Sequence, residues 1–462
     1  MTKHKKAKAG KILVGVEIKI RINSVGRLDE GGRKHHTIGL MSSPVFPEMR
    51  LVRQKFPKSV PLDIEHEVQA QLGGIVCEIK GTKVAVAVGS RGISNLSRIV
   101  GSTIEFLKTK GAEPYIIPAM GSHGGATPEG QISLLAEYGV TEKAFGVPIA
   151  ASMEVECIGK TEDGVDVFCS NEALRADGVV VINRVKPHTD FRGTLGSGIL
   201  KMLVIGLGKR AGAANFHILA SRFGYEHVIR TSSRVTSRRL KLLCGLALLE
   251  DQRHDTARIV AIPPDDLEAR ETELFHESSR LMPKLPFDEI DLLIIDQMGK
   301  NISGAGMDPN VIGRGVHGYT SMLSDRSTSP VVRRIFVRGL TPETHGNAIG
   351  IGSADFTSDR LVAGIDHRVT AINALTALTV QSGKVPIHFA TDWEAIDRAL
   401  DTLALQDRNV AKVMRIRDTL SLETLEISEN FLKSGNGNGL ELVGAPAPMS
   451  FGADGNLEPL QC

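Results

Sequence analysis

The segment from Lys186 to His217 carries the side chains best suited to chemistry. It reads KPHTDFRGTLGSGILKMLVIGLGKRAGAANFH and includes His188 and Lys201. It follows a strand-like apolar run, GVVVINR, so His188 is expected where a strand ends and a loop opens into a cleft. Two imidazoles and an amine in such a place could transfer protons, bind a metal or form a covalent bond.

Two further loops hold the same position relative to a strand. Arg91 follows an apolar run at 83–89, and His123, within GSHGG, follows another at 115–121. Ligands collect beyond the carboxyl ends of parallel strands, so Arg91, His123 and His188 are expected to face one site. His123 suits acid–base work. Arg91 could clamp a carboxylate or phosphate, although a surface ion pair explains this arginine equally well by itself.

The other polar residues of the segment each allow two interpretations. Lys201 lies in an apolar run, where it either snorkels from a helix or reacts in a dry pocket. The GLGK stretch that ends at Lys209 resembles a phosphate-binding fragment, but Arg210 follows it, which argues against a Walker-type NTPase. His217 is expected on a helix that starts near Ala211, as a metal ligand or as a satisfied core histidine.

One more strand end carries a candidate residue, in the second half of the chain. Gln297 and Lys300 follow an apolar run at 290–296, and glycines at 304 and 306 keep the next loop open. Lys300 could bind a carboxylate from across the cleft. A solvated turn lysine is the alternative.

The elements that must position these residues alternate between strand-like and helix-like patterns, which is typical of an α/β protein with largely parallel sheets. Predicted strands lie at 83–89, 115–121, 179–183, 259–262, 290–296, 334–339, 348–352 and 385–389. Prolines 283 and 286 indicate a boundary, because proline interrupts helices. We therefore predict one α/β domain at 10–284 with the cofactor and acid–base residues, a second at 287–434 that closes over the substrate, and a loose tail at 435–462.

Composition narrows the function classes. The 462 residues carry a net charge of +2, which points to neither nucleic acid nor an anionic membrane as a partner. No run approaches the ~18 apolar residues of a membrane helix, and the start of the sequence does not have the order of a signal peptide. Five cysteines without a CxxC pair argue against a disulfide framework or a cysteine-held metal. A cytoplasmic protein with reduced thiols is expected, and any metal would depend on histidine.

Taken together, the motifs resemble the lactate racemase family, the isomerases of 2-hydroxy acids that depend on a nickel-pincer nucleotide. The resemblance spans roughly residues 12–430 and is strongest in GSHGG, in KPH…K…H from 186 to 217, and in QMGK at 297–300. It implies two α/β domains with the active site in the cleft between them. It also implies a pyridinium mononucleotide whose nickel binds a ring carbon, two sulfur atoms and one protein histidine.

The resemblance assigns roles to individual residues. His123 and His188 would be the paired acid–base histidines, and Lys201 would attach the cofactor. His217 would bind nickel, and Arg91, Gln297 and Lys300 would hold the substrate carboxylate or the cofactor phosphate. The predicted cofactor-binding residues are Lys201, Arg91 and, from the GLGK fragment, Lys209. The loop after His123 has Gly-Gly where better-known members have Arg-Pro, so the hydroxy acid itself is not indicated.

The predicted function is racemisation or epimerisation of a small 2-hydroxy acid, through hydride transfer to the cofactor and a 2-keto acid intermediate. Enzymes that make the cofactor would be transient partners. Three other functions stay open: a nucleotide-dependent oxidoreductase or lyase without nickel, a non-catalytic cofactor-binding protein, and a phosphate-binding module built on GLGK. Nickel content and an adduct on Lys201 would separate them.

Overall fold

The computed structural model describes residues 46–57, 60–76, 79–89, 92–189, 193–314, 330–434 and 439–460. Arg91 lies outside the described residues.

The strands within the described residues are β1 Met49–Gln54, β2 Lys83–Val88, β3 Glu113–Pro118, β4 Val155–Lys160, β5 Asp166–Ser170, β6 Gly178–Arg184, β7 Leu242–Glu250, β8 Thr256–Ile262, β9 Glu289–Ile295, β10 Val331–Val337, β11 Phe356–Ser358, β12 Ile387–Phe389, β13 Val413–Ile416, β14 Thr424–Ser428 and β15 Leu440–Ala447. The helices are α1 Ile64–Gly73, α2 Leu96–Thr109, α3 Pro128–Glu137, α4 Glu142–Phe145, α5 Asn171–Leu174, α6 Ile199–Lys201, α7 Lys209–Phe223, α8 Tyr225–Arg239, α9 Leu267–Leu281, α10 Pro309–Ile312, α11 Asp359–Ala363, α12 His367–Thr376 and α13 Asp392–Asp401.

Two large sheets organise these elements, and β4 and β5 form a separate hairpin. The first sheet has the order β3-β2-β6-β7-β8, in which only β8 runs antiparallel to its neighbour. The second has the order β12-β11-β10-β9-β13-β14-β1-β15. Its first five strands are parallel and its last three pair antiparallel. The predicted α/β class with largely parallel sheets is therefore confirmed.

Burial on both faces explains why the central strands are continuous apolar runs. Along β2, Ala85 and Ala87 belong to one hydrophobic cluster, while Val84, Val86 and Val88 belong to the cluster on the opposite face. Strand β9 alternates in the same way between two clusters of the second sheet. Each sheet therefore needs a cover of helices or loops on both sides, which is the α/β arrangement.

One predicted strand is wrong. The run at 348–352 is a turn followed by a single 3-10 turn, Ile351–Ser353. Gly350 has φ of 96°, a conformation that glycine adopts without strain. An added Cβ there would lie 1.7 Å from the Ala305 carbonyl oxygen, so this glycine lets two loops approach closely.

The segment predicted as a loose tail contains ordered structure. Strand β15 pairs with β1 at the edge of the second sheet. Two largely buried arginines, Arg338 and Arg415, donate hydrogen bonds of 2.6 Å to the carbonyl oxygens of Leu457 and Glu458. Because β1 precedes the first sheet in the chain yet belongs to the second, the two sheets do not divide simply at the prolines. The division into domains stays a prediction.

Among the described residues, no helix is both long and apolar enough to cross a bilayer. Three cysteines fall within the described part, Cys157, Cys169 and Cys244, and each is a free thiol. Burial raises the pKa of the Cys169 and Cys244 thiols to about 12, so both are inert at neutral pH.

Candidate active site

A cavity of about 400 Å³ lies at the carboxyl ends of β2, β3 and β6. It is lined by His123, His188, Lys201 and His217 from the first half of the chain, and by Lys300 from the loop after β9. The expected meeting of strand-end loops is therefore present in the structure. The second sheet contributes the opposite wall through loops around residues 304, 349 and 379.

The His123 loop is held tightly against α3. Thr127 caps this helix, since its hydroxyl accepts a hydrogen bond from the Gly130 backbone N–H at 3.1 Å. Gly124 has φ of 64°, and a Cβ on it would lie 2.5 Å from the Gly130 carbonyl carbon. The side-chain amide of Gln131 donates to the carbonyl oxygens of Gly121 and His123, at 3.0 and 3.3 Å. The loop that carries this imidazole is thus fixed by glycine contacts and by a buried glutamine.

His188 and Lys201 are direct neighbours. The imidazole Nε2 of His188 lies 2.6 Å from Lys201 Nζ, within hydrogen-bond distance. Because an ammonium group has donors only, Nε2 accepts this bond whenever Lys201 is protonated. The His188 ring also packs against Tyr225, with 4.8 Å between ring centroids. The carbonyl oxygen of His188 accepts a hydrogen bond of 3.2 Å from the side-chain amide of Asn310, which lies on α10.

Lys201 is the last residue of a short helix that is followed by a π-helical turn. The short helix α6 continues directly into a π-helical turn, Met202–Gly206, and both are largely buried. The backbone N–H of Leu200 donates to the carboxylate of Glu271 at 3.0 Å. Glu271 is 1% exposed, and burial raises its pKa to about 7. A buried carboxyl group therefore lies at the N-terminus of the turn that carries the lysine and accepts from its backbone N–H.

His217 lies on α7, as predicted, and faces the same cavity from another side. Its ring contacts Phe216 at 5.7 Å between centroids, and Phe216 contacts Tyr225 edge-on at 4.7 Å. Tyr225 touches both this aromatic group and His188, so it connects the two histidines through ring packing.

Lys300 comes to the cavity from the second sheet. Its Nζ donates to the Gly304 carbonyl at 3.1 Å and to Asn373 Oδ1 at 3.0 Å. Both of these acceptors are uncharged oxygens. Asn373 lies on α12 and also accepts a hydrogen bond from Asn347 through the same oxygen.

Two of the predicted binding residues are not brought to the cavity. Lys209 is 1% exposed, and its Nζ donates to the Pro118 carbonyl at 2.5 Å and to Gln131 Oε1 at 3.0 Å. Burial lowers the pKa of Lys209 to about 8. Gln297 is exposed and does not line the cavity. GLGK therefore ends in a core lysine that bonds to Pro118 and Gln131, two contacts that motif spacing does not show.

Sequence reasoning missed several residues that line the cavity. Asn183, Arg184 and Lys186 lie at or just beyond the end of β6, and their position after an apolar run is a signal that could have found them. Tyr225 and Asn373 carry no such signal, because each lies on a helix and does not follow an apolar strand. Arg184 is anchored by Glu250 and by the carbonyl of Gly92.

The cavity is electropositive. None of the described lining residues is an aspartate or glutamate. The lining includes four basic side chains, Arg184, Lys186, Lys201 and Lys300, and three histidines, His123, His188 and His217. Two of these charges are offset in part, because Asp308 stands 4.0 Å from Lys186 and Glu250 pairs with Arg184. A cavity with this lining favours anionic ligands.

Comparison with known proteins gives one family match. Residues 79–224, which include both acid–base candidates, Lys201 and His217, match the model of the lactate racemase N-terminal domain. This match confirms the family resemblance inferred from the motifs. No curated protein sequence matches the chain.

Two solved structures are similar at low identity. The lactate racemase apoprotein from Thermoanaerobacterium thermosaccharolyticum is 15% identical, with a TM-score of 0.49, over 80% of this chain and 93% of that chain. A protein from Thermotoga maritima is 13% identical, with a TM-score of 0.47, over 71% of this chain and 86% of that chain. Likenesses of this size say nothing about activity.

Proposed function

Residues 79–224 belong to the lactate racemase N-terminal domain family, and on that premise we propose that the protein inverts a 2-hydroxy acid at its hydroxyl-bearing carbon. The observation that carries the proposal is the single cavity that collects His123, His188, Lys201 and His217, with Lys300 on the opposite wall. An acid–base pair, a reactive amine, a metal-binding imidazole and an anion-binding ammonium are the groups that this chemistry needs.

The lining suits a nickel-pincer nucleotide. Its basic residues match the charge of a mononucleotide phosphate, and imidazole is a good nickel ligand, so His217 would hold the metal. Among the described residues, no group of three His, Cys, Asp or Glu side chains could hold a metal by itself. A nickel ion that arrives with a ring carbon and two sulfur donors needs only one ligand from the protein. When bound, the group supplies a hydride acceptor, and the substrate passes through a 2-keto acid.

The two remaining histidines manage the hydroxyl proton. In one enantiomer the hydroxyl group faces one imidazole, which takes its proton; in the other enantiomer it faces the second imidazole. His123 is fixed by its loop, and His188 by Tyr225 and Asn310. Such fixed positions reduce the entropy cost of reaching the reactive geometry.

Lys300 orients the substrate. Its ammonium group lines the cavity and donates to the Gly304 carbonyl and to Asn373 Oδ1, and from this position it would bind the substrate carboxylate. Binding the carboxylate from the second sheet would place the 2-carbon toward the histidines of the first sheet. An amide-type link at Lys201 would remove the positive charge that lies 2.6 Å from His188 Nε2. The His188 imidazole could then accept the proton of the substrate hydroxyl group.

The experiment is to produce the protein together with the cofactor-synthesis enzymes and to measure nickel, intact mass and racemisation of a panel of 2-hydroxy acids. We expect about one nickel per chain, an adduct mapped to Lys201, and interconversion of enantiomers measured by chiral chromatography. A 2-deuterated substrate should keep its deuterium in ordinary water, because hydride transfer does not exchange the label with solvent.

Loss of the label to solvent would point to proton abstraction and would contradict the hydride route. Reversible NAD binding without nickel would favour the oxidoreductase, and nickel loading without turnover of any acid would favour a cofactor carrier. Replacing His123 by Ala should lower turnover by ~10²–10⁴-fold with nickel content unchanged, and replacing His188 by Ala should lower turnover per bound nickel by a similar factor.

A further inference from the structure

Lys209 poses a physical problem that the proposed chemistry does not explain. The side chain is 1% exposed, and within the described part of the chain no carboxylate lies within hydrogen-bond distance of its ammonium group. Burying an ammonium group is costly unless its donors are satisfied. Lys209 meets this cost with two oxygen acceptors, the Pro118 carbonyl at 2.5 Å and Gln131 Oε1 at 3.0 Å.

Both acceptors lead to the loop that carries His123. Pro118 is the last residue of β3, and the loop begins directly after it. Gln131, which is 0% exposed, accepts from Lys209 with its oxygen. Its amide nitrogen donates to the Gly121 and His123 carbonyls. The bond from Lys209 to Oε1 fixes which end of the amide faces the loop, since only the nitrogen end can donate.

We propose that Lys209 and Gln131 are positioning residues, which act through the backbone of residues 118–123 to hold the His123 imidazole in the cavity. The lysine fixes the start of the loop, and the glutamine fixes its middle and its catalytic residue. Neither side chain lines the cavity, so neither is expected to touch substrate. The acid–base role of His123 rests on the proposed function, but the mechanical link does not.

The loop that carries His123 also packs closely against the π-helical turn, Met202–Gly206. An added Cβ on Gly121 would lie 3.2 Å from the Ile205 carbonyl, so the loop passes close to the π-helical turn just before Lys209. The Gly121 N–H donates to the Gly206 carbonyl at 3.1 Å. The His123 loop, the π-helical turn and Lys209, the first residue of α7, are therefore joined by direct contacts.

The test compares Lys209→Met, Gln131→Met and Gln131→Glu with Arg210→Met. Arg210 is adjacent in sequence and exposed, so its replacement removes one positive charge from the same helix without touching the link. Gln131→Glu keeps an acceptor for Lys209 but removes the amide N–H groups that donate to the Gly121 and His123 carbonyls. This variant still tests the proposal if Lys209→Met does not fold. The first readout is hydrogen exchange of the amides of residues 121–126, which needs neither cofactor nor substrate.

We expect exchange in this loop to rise about tenfold or more in the three link variants, as loss of a buried hydrogen bond predicts, and to stay unchanged in Arg210→Met. In the loaded enzyme we expect kcat to fall about tenfold or more with KM nearly constant, because the substrate contacts are intact.

A uniform rise in exchange over the whole protein, or equal behaviour of Lys209→Met and Arg210→Met, would overturn the proposal. If the wild type turns over no 2-hydroxy acid but the loop still loosens selectively, the proposed function fails while the positioning link stands.

Discussion

His188 Nε2 and Lys201 Nζ lie 2.6 Å apart, so the candidate base and the candidate attachment amine share one hydrogen bond. An amine must lose a proton before it can be acylated, and this imidazole is placed to accept it. We predict that His188→Ala slows acylation of Lys201 about tenfold at neutral pH, in protein without cofactor.

The measurement is competitive labelling with acetic anhydride, followed by peptide mass spectrometry. Exposed Lys241, which pairs with Asp177, serves as the internal reference and should label equally in both proteins. Equal labelling of Lys201 in wild type and variant would show that the contact does not activate the amine.

His217 is predicted to hold nickel. His217→Ala should lower bound nickel to well under half of the wild-type value when both proteins are made with the cofactor-synthesis enzymes, because one of four donors is lost. The matched control is His227→Ala, whose exposed imidazole pairs with Asp163 on the surface. Elemental analysis decides the matter, and full nickel loading of His217→Ala would remove this residue as a ligand.

Glu271 should give the protein a pH-dependent stability. Burial raises its pKa from 4.5 to about 7, so between these pH values the folded chain binds a proton that the unfolded chain has lost. The free energy of unfolding therefore falls as pH rises through this window, by up to about 1.4 kcal/mol per pH unit.

Glu271→Gln does not titrate and should lack this component of the slope. Urea unfolding at several pH values between 4.5 and 7.5 measures it, with Glu273→Gln on the exposed side of α9 as the control. Parallel stability curves for wild type and Glu271→Gln would contradict the assignment.

Gly198 is predicted to tolerate no side chain. A Cβ there would lie 2.2 Å from Glu271 Oε1, and the carboxylate is held in place by the Leu200 N–H. Gly198→Ala should cost about 1–3 kcal/mol of stability through overpacking. Gly92→Ala is the control, since an added Cβ meets nothing within 4 Å there and the cost should stay within about 0.5 kcal/mol. Denaturant unfolding compares the two variants.

The C-terminal segment should contribute to stability. Removing residues 448–462 takes away the carbonyl oxygens of Leu457 and Glu458, which accept from Arg338 and Arg415. Since a buried donor without an acceptor costs about 1–3 kcal/mol, the truncation should lower the free energy of unfolding by at least about 2 kcal/mol. Removing only residues 461 and 462 is the control. An unchanged thermal midpoint in the longer truncation would show that water replaces both carbonyls.

The sequence by itself determined the α/β class, because central strands that are buried on both faces must be continuous apolar runs, as at β2, β6 and β9. It also determined that the strand-end loops with His123 and His188 meet at one edge, since parallel neighbours place their carboxyl ends together. Local patterns suffice for both statements.

Only the tertiary structure decided where the remaining polar groups go. Lys209 and Lys201 are both lysines in apolar stretches, yet the first is buried against Pro118 and Gln131 and the second lines the cavity. Asn373 reaches the cavity from a helix that is distant in sequence, Tyr225 packs on His188 from α8, and the edge strand β15 pairs with β1 across nearly the whole chain. Each of these placements depends on contacts between residues far apart in sequence, which neither periodicity nor motif spacing records.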